Sequence, residues 1–420
     1  MVDVNLVFVL VTAIIAIGFF SNYFFKKTRI PDLIWLIIFG ALVGPILGLM
    51  DPEFFMQYLP IFAALALLII LFEGGSGIDI YKLIKESLEI LLITTMSFIA
   101  SMFVVTAIAL VLFGMPLLIA LLLGAIVGGT SSPIVFSLVE EMPELKKKVS
   151  LILKMESVIT DPMTIIVSLV LIETITISPA GNSMVQLILT KLVSLLSISL
   201  VVGFFGGIIW SIVWEKFVSY KFHYMLTIGF LFLIYVITEI LGGSGAIAAF
   251  MVGLALGNMS SIRRMFKIQK TTVGLTKETR DFNSYIAFFV RTFFFALIGM
   301  ILQISRLDLI LYGILLSFAL LGVRLFIVRI GTYKMDISKN QKNIMTLMYP
   351  RGLAAAVAAS LPFIQYKIPG TEAFTEIVFT LIIATVLIST IGISILERKD
   401  KNSEKETENE AKKNEITEEN

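Results

Sequence analysis

The chain has no cysteine and a single histidine in 420 residues. Without thiols there is no disulfide scaffold, no thiolate metal site and no cysteine nucleophile, and one imidazole cannot form a histidine cluster. That residue, His223, lies beside Lys216 and Lys221 at a predicted membrane edge, where an interfacial structural role is expected. Charge is scarce as well. Asp, Glu, Lys and Arg make up 15% of the residues against 57% hydrophobic ones, and the mean hydropathy is +0.95. Soluble domains carry about 25% charged residues, so a soluble fold is excluded, and a net charge of +2 leaves no nucleic-acid footprint. The composition fits a polytopic membrane protein.

What is present is a series of apolar runs long enough for a hydrocarbon layer of about 30 Å. Cutting where charges or Gly/Pro clusters interrupt them predicts thirteen helical segments, at about 4–25, 30–49, 55–74, 88–113, 116–140, 147–174, 185–213, 223–241, 244–259, 284–304, 308–330, 341–363 and 373–396. The first is too long for a signal-peptide core, begins with Asp3 and lacks a small-residue cleavage site, so it reads as a membrane helix. Residues 1–396 form the membrane unit. Residues 397–420 mix Glu, Lys and Asn with almost no apolar residue and read as a disordered cytoplasmic tail.

Alternate connections separate by charge. Lys26, Lys27 and Arg29; Lys82 and Lys85; Lys146 to Lys148; Lys216 and Lys221; Arg263 to Arg280; and Lys334, Lys339 and Lys342 fall on one side, while the other side has essentially Arg306 and Lys367. The positive-inside rule makes the basic side cytoplasmic. The amino terminus is then outside and the carboxyl terminus inside, in a multi-pass protein expected in the plasma membrane.

Two segments carry breaks. Segment 5 contains Gly128-Gly129-Thr130-Ser131-Ser132-Pro133, and segment 12 contains Tyr349-Pro350-Arg351-Gly352. If segment 7 (185–213) is a linker, these are the fifth helices of two six-helix halves, about 1–175 and 223–396. Interrupted helices at matching positions of two halves are the sequence signature of inverted-repeat transporters. Each break frees backbone groups that must find partners in protein, water or ions.

Segment 6 places Glu156-Ser157-Val158-Ile159-Thr160-Asp161-Pro162 inside an apolar run from Leu151 to Ile172. Intramembrane carboxylates are expensive and mark functional sites. Ser157 and Asp161 share a helix face, as do Glu156 and Thr160. Hard monovalent cations prefer oxygen ligands, so Asp161, Ser157 and groups freed near Thr130, Ser131 and Ser132 are the expected Na+ or Li+ ligands, with Asp161 the central one and Glu73 lining a cytoplasmic funnel. A second free carboxylate would repel the first, so Glu156 is expected to pair with Arg351 as a structural bridge. Removing either member of such a pair would strand a charge at about 3–5 kcal/mol. Arg291 and Arg324 are also near helix interiors, where they could snorkel to a membrane face.

These residues resemble the monovalent cation/proton antiporters, and within them the NhaP-type sodium/proton exchangers. The resemblance rests on Glu156-Ser157 followed by Asp161-Pro162, on Pro350-Arg351-Gly352, on Gly242-Gly243-Ser244-Gly245-Ala246-Ile247-Ala248 running to Gly253, on Phe72-Glu73-Gly74-Gly75, and on Arg291-Thr292-Phe293-Phe294-Phe295 with Gly299. It implies an all-α inverted-repeat fold of thirteen helices with two broken crossing helices, and a core that moves against a dimerisation domain in a homodimer. It also implies an aspartate at 161 that alternates between proton and cation, with no cofactor beyond the transported ions. Two departures stand out. The family usually has Asn-Asp where this chain has Thr160-Asp161, and Thr-Asp-Pro where it has Ser131-Ser132-Pro133. Thr160 can still support the site through its hydroxyl, but the missing aspartate opens potassium as the alternative to sodium.

The expected activity is electroneutral exchange of Na+ or Li+ for protons by alternating access, serving sodium and pH homeostasis, with no enzymatic chemistry. K+/H+ exchange is the alternative within the same superfamily. A sodium-coupled solute symporter would need a larger polar pocket, a channel would give single-channel currents, and an intramembrane aspartyl protease would need a second deep aspartate. Asp32 and Asp281 lie at predicted helix edges instead.

Overall fold

A computed structural model of the chain describes residues 4–28, 31–49, 59–78, 88–142, 144–177, 184–217, 222–261, 277–301 and 306–418. Lys82, Lys85 and the basic run from Arg263 to Lys270 lie outside them. All regular structure among the described residues is helical. A chain surrounded by hydrocarbon must satisfy its backbone N–H and C=O groups within each segment, and the helix does so.

The helices are α1 (Val4–Thr28), α2 (Asp32–Ala41, continued by a π-helical turn Leu42–Ile46), α3 (Leu59–Gly77), α4 (Leu88–Val111), α5 (Leu117–Ile126), α6 (Ser132–Glu140), α7 (Lys147–Ile177), α8 (Met184–Phe217), α9 (His223–Ile240), α10 (Gly245–Gly257), α11 (Lys277–Ile301), α12 (Leu307–Gly331), α13 (Lys339–Leu347), α14 (Leu353–Ser360, continued by a π-helical turn Leu361–Gln365) and α15 (Phe374–Glu418). Seven described helices are long and apolar enough to cross a membrane and six more apolar stretches are shorter, which matches the thirteen expected segments. Segment 5 divides into α5 and α6, and segment 12 into α13 and α14, at the two expected breaks. One boundary differs. The last helix does not stop near residue 396 but continues through Glu418, so the stretch expected to be disordered has helical backbone. Glu and Lys, frequent there, are good helix formers and extend a helix already nucleated in the span.

The distribution of polarity is inverted relative to a soluble protein. Phe8, Phe19, Phe205, Ile209, Phe318 and Phe326 are all more than half exposed, while Glu156, Arg324 and Arg351 are buried. Exposed apolar faces on this scale require an apolar surrounding, and the buried charges must then find partners inside.

Two groups of helices meet at the site. In one, α2 packs on α11 and α3 on α10, with α8 and α9 behind α10. Both contacts are backbone-close. A Cβ on Gly40 would run into the Ala296 carbonyl and one on Gly299 into the Ile37 carbonyl; a Cβ on Gly253 would meet the Phe72 carbonyl and one on Gly257 the Ser76 carbonyl. Small residues that let backbones approach are how helices associate where no hydrophobic difference exists between lipid and side chain. In the other group α4, α7, α12 and α15 surround the broken pair α5/α6 and α13/α14. Helices α3 and α8 of the first group meet α7 of the second, and α3 also meets α14.

Candidate functional site

The breaks cross each other. Residues 127–131 link α5 to α6 and residues 348–352 link α13 to α14, and the Ser131 N–H donates to the Pro350 carbonyl at 2.8 Å. A Cβ on Gly352 would strike the Ser131 hydroxyl, so a side chain at 352 would hold the crossing segments apart. Thr385 of α15 accepts from the Arg351 N–H at 3.1 Å. Freed backbone groups are thus partly taken up where one break meets the other.

Helix α7 runs past this crossing unbroken despite Pro162. Proline has no N–H, so the Val158 carbonyl, four residues earlier, loses its helical donor next to Asp161. Asp161 is half-buried, and its Oδ2 accepts the Ser132 N–H at 2.8 Å, at the start of α6. A carboxylate there takes up a helix-terminal N–H and faces the positive end of the α6 dipole. One residue back, the Thr160 hydroxyl accepts the Thr130 N–H at 3.0 Å and lies 3.3 Å from the Thr130 hydroxyl. Thr160 therefore braces the unwound segment, and Asp161 is left facing open space.

That space is a cavity of about 480 Å³ lined by Glu73, Ser132, Phe136, Val158, Asp161, Ser284, Arg291 and neighbouring apolar residues. It extends from Asp161 to the ends of α3 and α11 that lead into basic connections. Of the expected ligands, Asp161, Ser132 and Glu73 line it. The other three make different bonds. Ser157 donates to the Lys154 carbonyl of its own helix at 3.0 Å, Thr130 bonds Thr160, and Ser131 holds the crossing.

The expected Glu156–Arg351 bridge is not formed. Glu156 pairs instead with Arg324 of α12 in a two-pronged contact: Nη2 reaches Oε2 at 2.8 Å and Nη1 contacts Oε1. Arg324 also donates from Nε to the Met345 carbonyl at 2.9 Å and from Nη1 to the Ser97 hydroxyl at 3.2 Å. A planar guanidinium matches a carboxylate with two parallel bonds, and α12 presents Arg324 flat to Glu156. Arg351 is equally buried, but its Nε and Nη1 have no hydrogen-bond partner among the described residues. The two arginines that could have snorkelled are ion-pair members instead: Arg324 is buried with Glu156, and half-buried Arg291 reaches Asp32, in the first turn of α2, at 3.2 Å. The apolar run Leu320 to Val328 around Arg324 was the available signal that this arginine is buried and needs an acid.

A family model described as sodium/hydrogen exchanger, transmembrane, matches residues 9–399. The chain belongs to that family. Among its relatives, K(+)/H(+) antiporter NhaP2 of Shewanella sp. (strain ANA-3) is 25% identical over 386 residues, covering 90% of this chain and 64% of the relative. Low-affinity Na(+)/H(+) antiporter NhaS1 of Synechocystis sp. is 27% identical over 373 residues, covering 84% of this chain and 66% of the relative. The chain thus spans just under two thirds of the length of these exchanger-family relatives. The solved structure of the sodium proton antiporter MjNhaP1 from Methanocaldococcus jannaschii at pH 8 superposes with a TM-score of 0.75 at 21% identity, over 94% of this chain and 98% of that one. This likeness establishes the antiporter fold for the exchanger-family chain.

Proposed function

We propose that the chain exchanges a monovalent cation, Na+ or Li+, for a proton, one for one, with Asp161 binding either. The observation that carries this reading is Asp161 itself: it stands at the crossing of two broken helices, held at the start of α6 by Ser132, and it lines a cavity. A proton or a dehydrated cation neutralises it there, and an unneutralised carboxylate is costly to carry across hydrocarbon. The cycle alternates access by moving the α5–α7 and α12–α15 group against the α2–α3 and α10–α11 group. Glu73 and Ser132 are proposed to complete the ion's oxygen shell, with Ser157 and the Thr130–Ser131 segment acting through the position of Asp161. Thr160 in front of Asp161 leaves one titrating carboxylate at this point of the helix, hence no net charge per cycle.

K+/H+ exchange is the second reading. It is supported by the serine at 132 where the resembled exchangers carry aspartate, and by relatives whose names divide between Na+ and K+. The inverted repeat, about 1–175 and 223–396 around a linking helix, finds support in the glycine contacts: α2 packs on α11 as α10 packs on α3, the same pairing with the halves exchanged. We further propose a homodimer in the plasma membrane with the basic connections inside.

Proton flux from proteoliposomes against sodium, lithium and potassium gradients, with the membrane potential clamped at several values, tests the function. Exchange should occur with one or more of these ions, be abolished in Asp161→Asn and be independent of voltage. A rate that follows voltage overturns electroneutrality, and robust exchange by Asp161→Asn overturns the site.

A further inference from the structure

Lys154 stands seven residues before Asp161 on α7. Seven residues are nearly two full turns, so the two side chains project from the same face, about 10 Å apart along the axis. A helical side chain leans toward its own N-terminus, which sends the ammonium away from Asp161 toward the end where the cavity opens. There its Nζ lies 5.3 Å from the centre of the Phe136 ring, and Phe136 is part of the cavity wall. Lys154 is half-buried, and among the described residues no ion pair involves it. A lysine with a carboxylate partner is locally neutral. This one, resting on an aromatic face, keeps its field.

From this geometry we infer that Lys154 sets the strength of cation binding at Asp161: it is a fixed positive charge beside the entry route, held against the cavity wall by Phe136, that weakens capture of any monovalent cation. The inference rests on the exchange reading above. Lys154 touches neither ion nor proton and acts only through its field. That field depends on charge and distance, so it acts equally on sodium, lithium and potassium and sets affinity rather than choice among them. At roughly 10–14 Å the Coulomb interaction changes an affinity by about 2-fold at the dielectric of water and about 10-fold at the lower effective dielectric of a protein surface.

The test is the apparent KM and maximal rate of cation-driven proton flux in proteoliposomes for the parent, Lys154→Met, Lys154→Arg and Lys154→Glu, read on the alkaline side of the optimum where protons do not compete for Asp161. Lys154→Met keeps the apolar stem and is expected to lower KM by about 2- to 10-fold for all three cations with little change in maximal rate. Lys154→Glu should lower it further, and Lys154→Arg should retain the parent value. Phe136→Leu, which removes the ring but not the charge, should shift KM less than Lys154→Met. A purely structural lysine would alter maximal rate or yield, and its arginine variant would not behave as the parent. Exchange by the parent with unchanged KM in Lys154→Met and Lys154→Glu overturns this inference alone; absence of exchange by the parent overturns the proposed function and this inference with it.

Discussion

Arg324 and Arg351 are both 3% exposed, yet of the two only Arg324 is in ion-pair contact with a carboxylate among the described residues. Glu156 and Arg324 complete each other, so neutralising either strands a buried charge, at a cost of about 3–5 kcal/mol. Glu156→Gln and Arg324→Gln are therefore expected to lower the thermal midpoint and folded yield in detergent. Arg351→Gln, whose guanidinium leaves Nε and Nη1 unbonded, should be tolerated much better. Fluorescence-detected size-exclusion with a temperature series compares the three, and equal loss in all of them would refute the reassigned pairing. Ser157 donates inside its own helix, so Ser157→Ala should raise the cation KM less than Ser132→Pro, which removes the N–H that Asp161 accepts. Competition at Asp161 also gives transport a bell shape in pH. Protons displace the cation on the acid side, and the return step lacks protons on the alkaline side. Raising the cation concentration should move the optimum toward acid, and an optimum that stays put would argue against a shared site.

At the scale of elements, the breaks survive because their freed groups are taken up by particular partners. Thr160→Val removes the acceptor of the Thr130 N–H and leaves it buried, at about 1–3 kcal/mol; a loss of thermal stability with exchange reduced but not abolished is expected. The backbone-close helix pairs make a steric prediction. Gly253→Val places a side chain against the Phe72 carbonyl and should abolish folded yield, whereas Gly322→Ala has nothing within 4 Å and should be neutral. Western blotting of membrane fractions distinguishes them. Both kinds of element were visible in part beforehand: Gly and Pro clusters disclose a break, because those residues alone lack the Cβ or the N–H. Which helix lies against a given glycine depends on contacts distant in the chain.

For the whole molecule, the proposed placement of the chain ends on opposite sides rests on an odd total of seven long and six shorter apolar helical stretches among the described residues. A protease tag before Val4 is expected to be cut from outside intact cells and a tag after Glu419 to be protected; the reverse pattern would refute the proposed orientation. Read alone, the sequence determined the medium, the number of apolar helical stretches, the two breaks and the carboxylate of Asp161 within an apolar run, because each follows from hydrocarbon thickness, from backbone chemistry or from the order of residues in one segment. These are local properties, and short windows carry them. Tertiary structure alone decided which arginine meets Glu156, that Ser131 and Thr130 brace the crossing rather than face the cavity, and that Arg291 is tied to Asp32. Arg324 and Arg351 both satisfy charge balance on paper. The choice between them depended on the distance and planarity with which α12 presents one guanidinium to α7, and helix packing fixes that geometry.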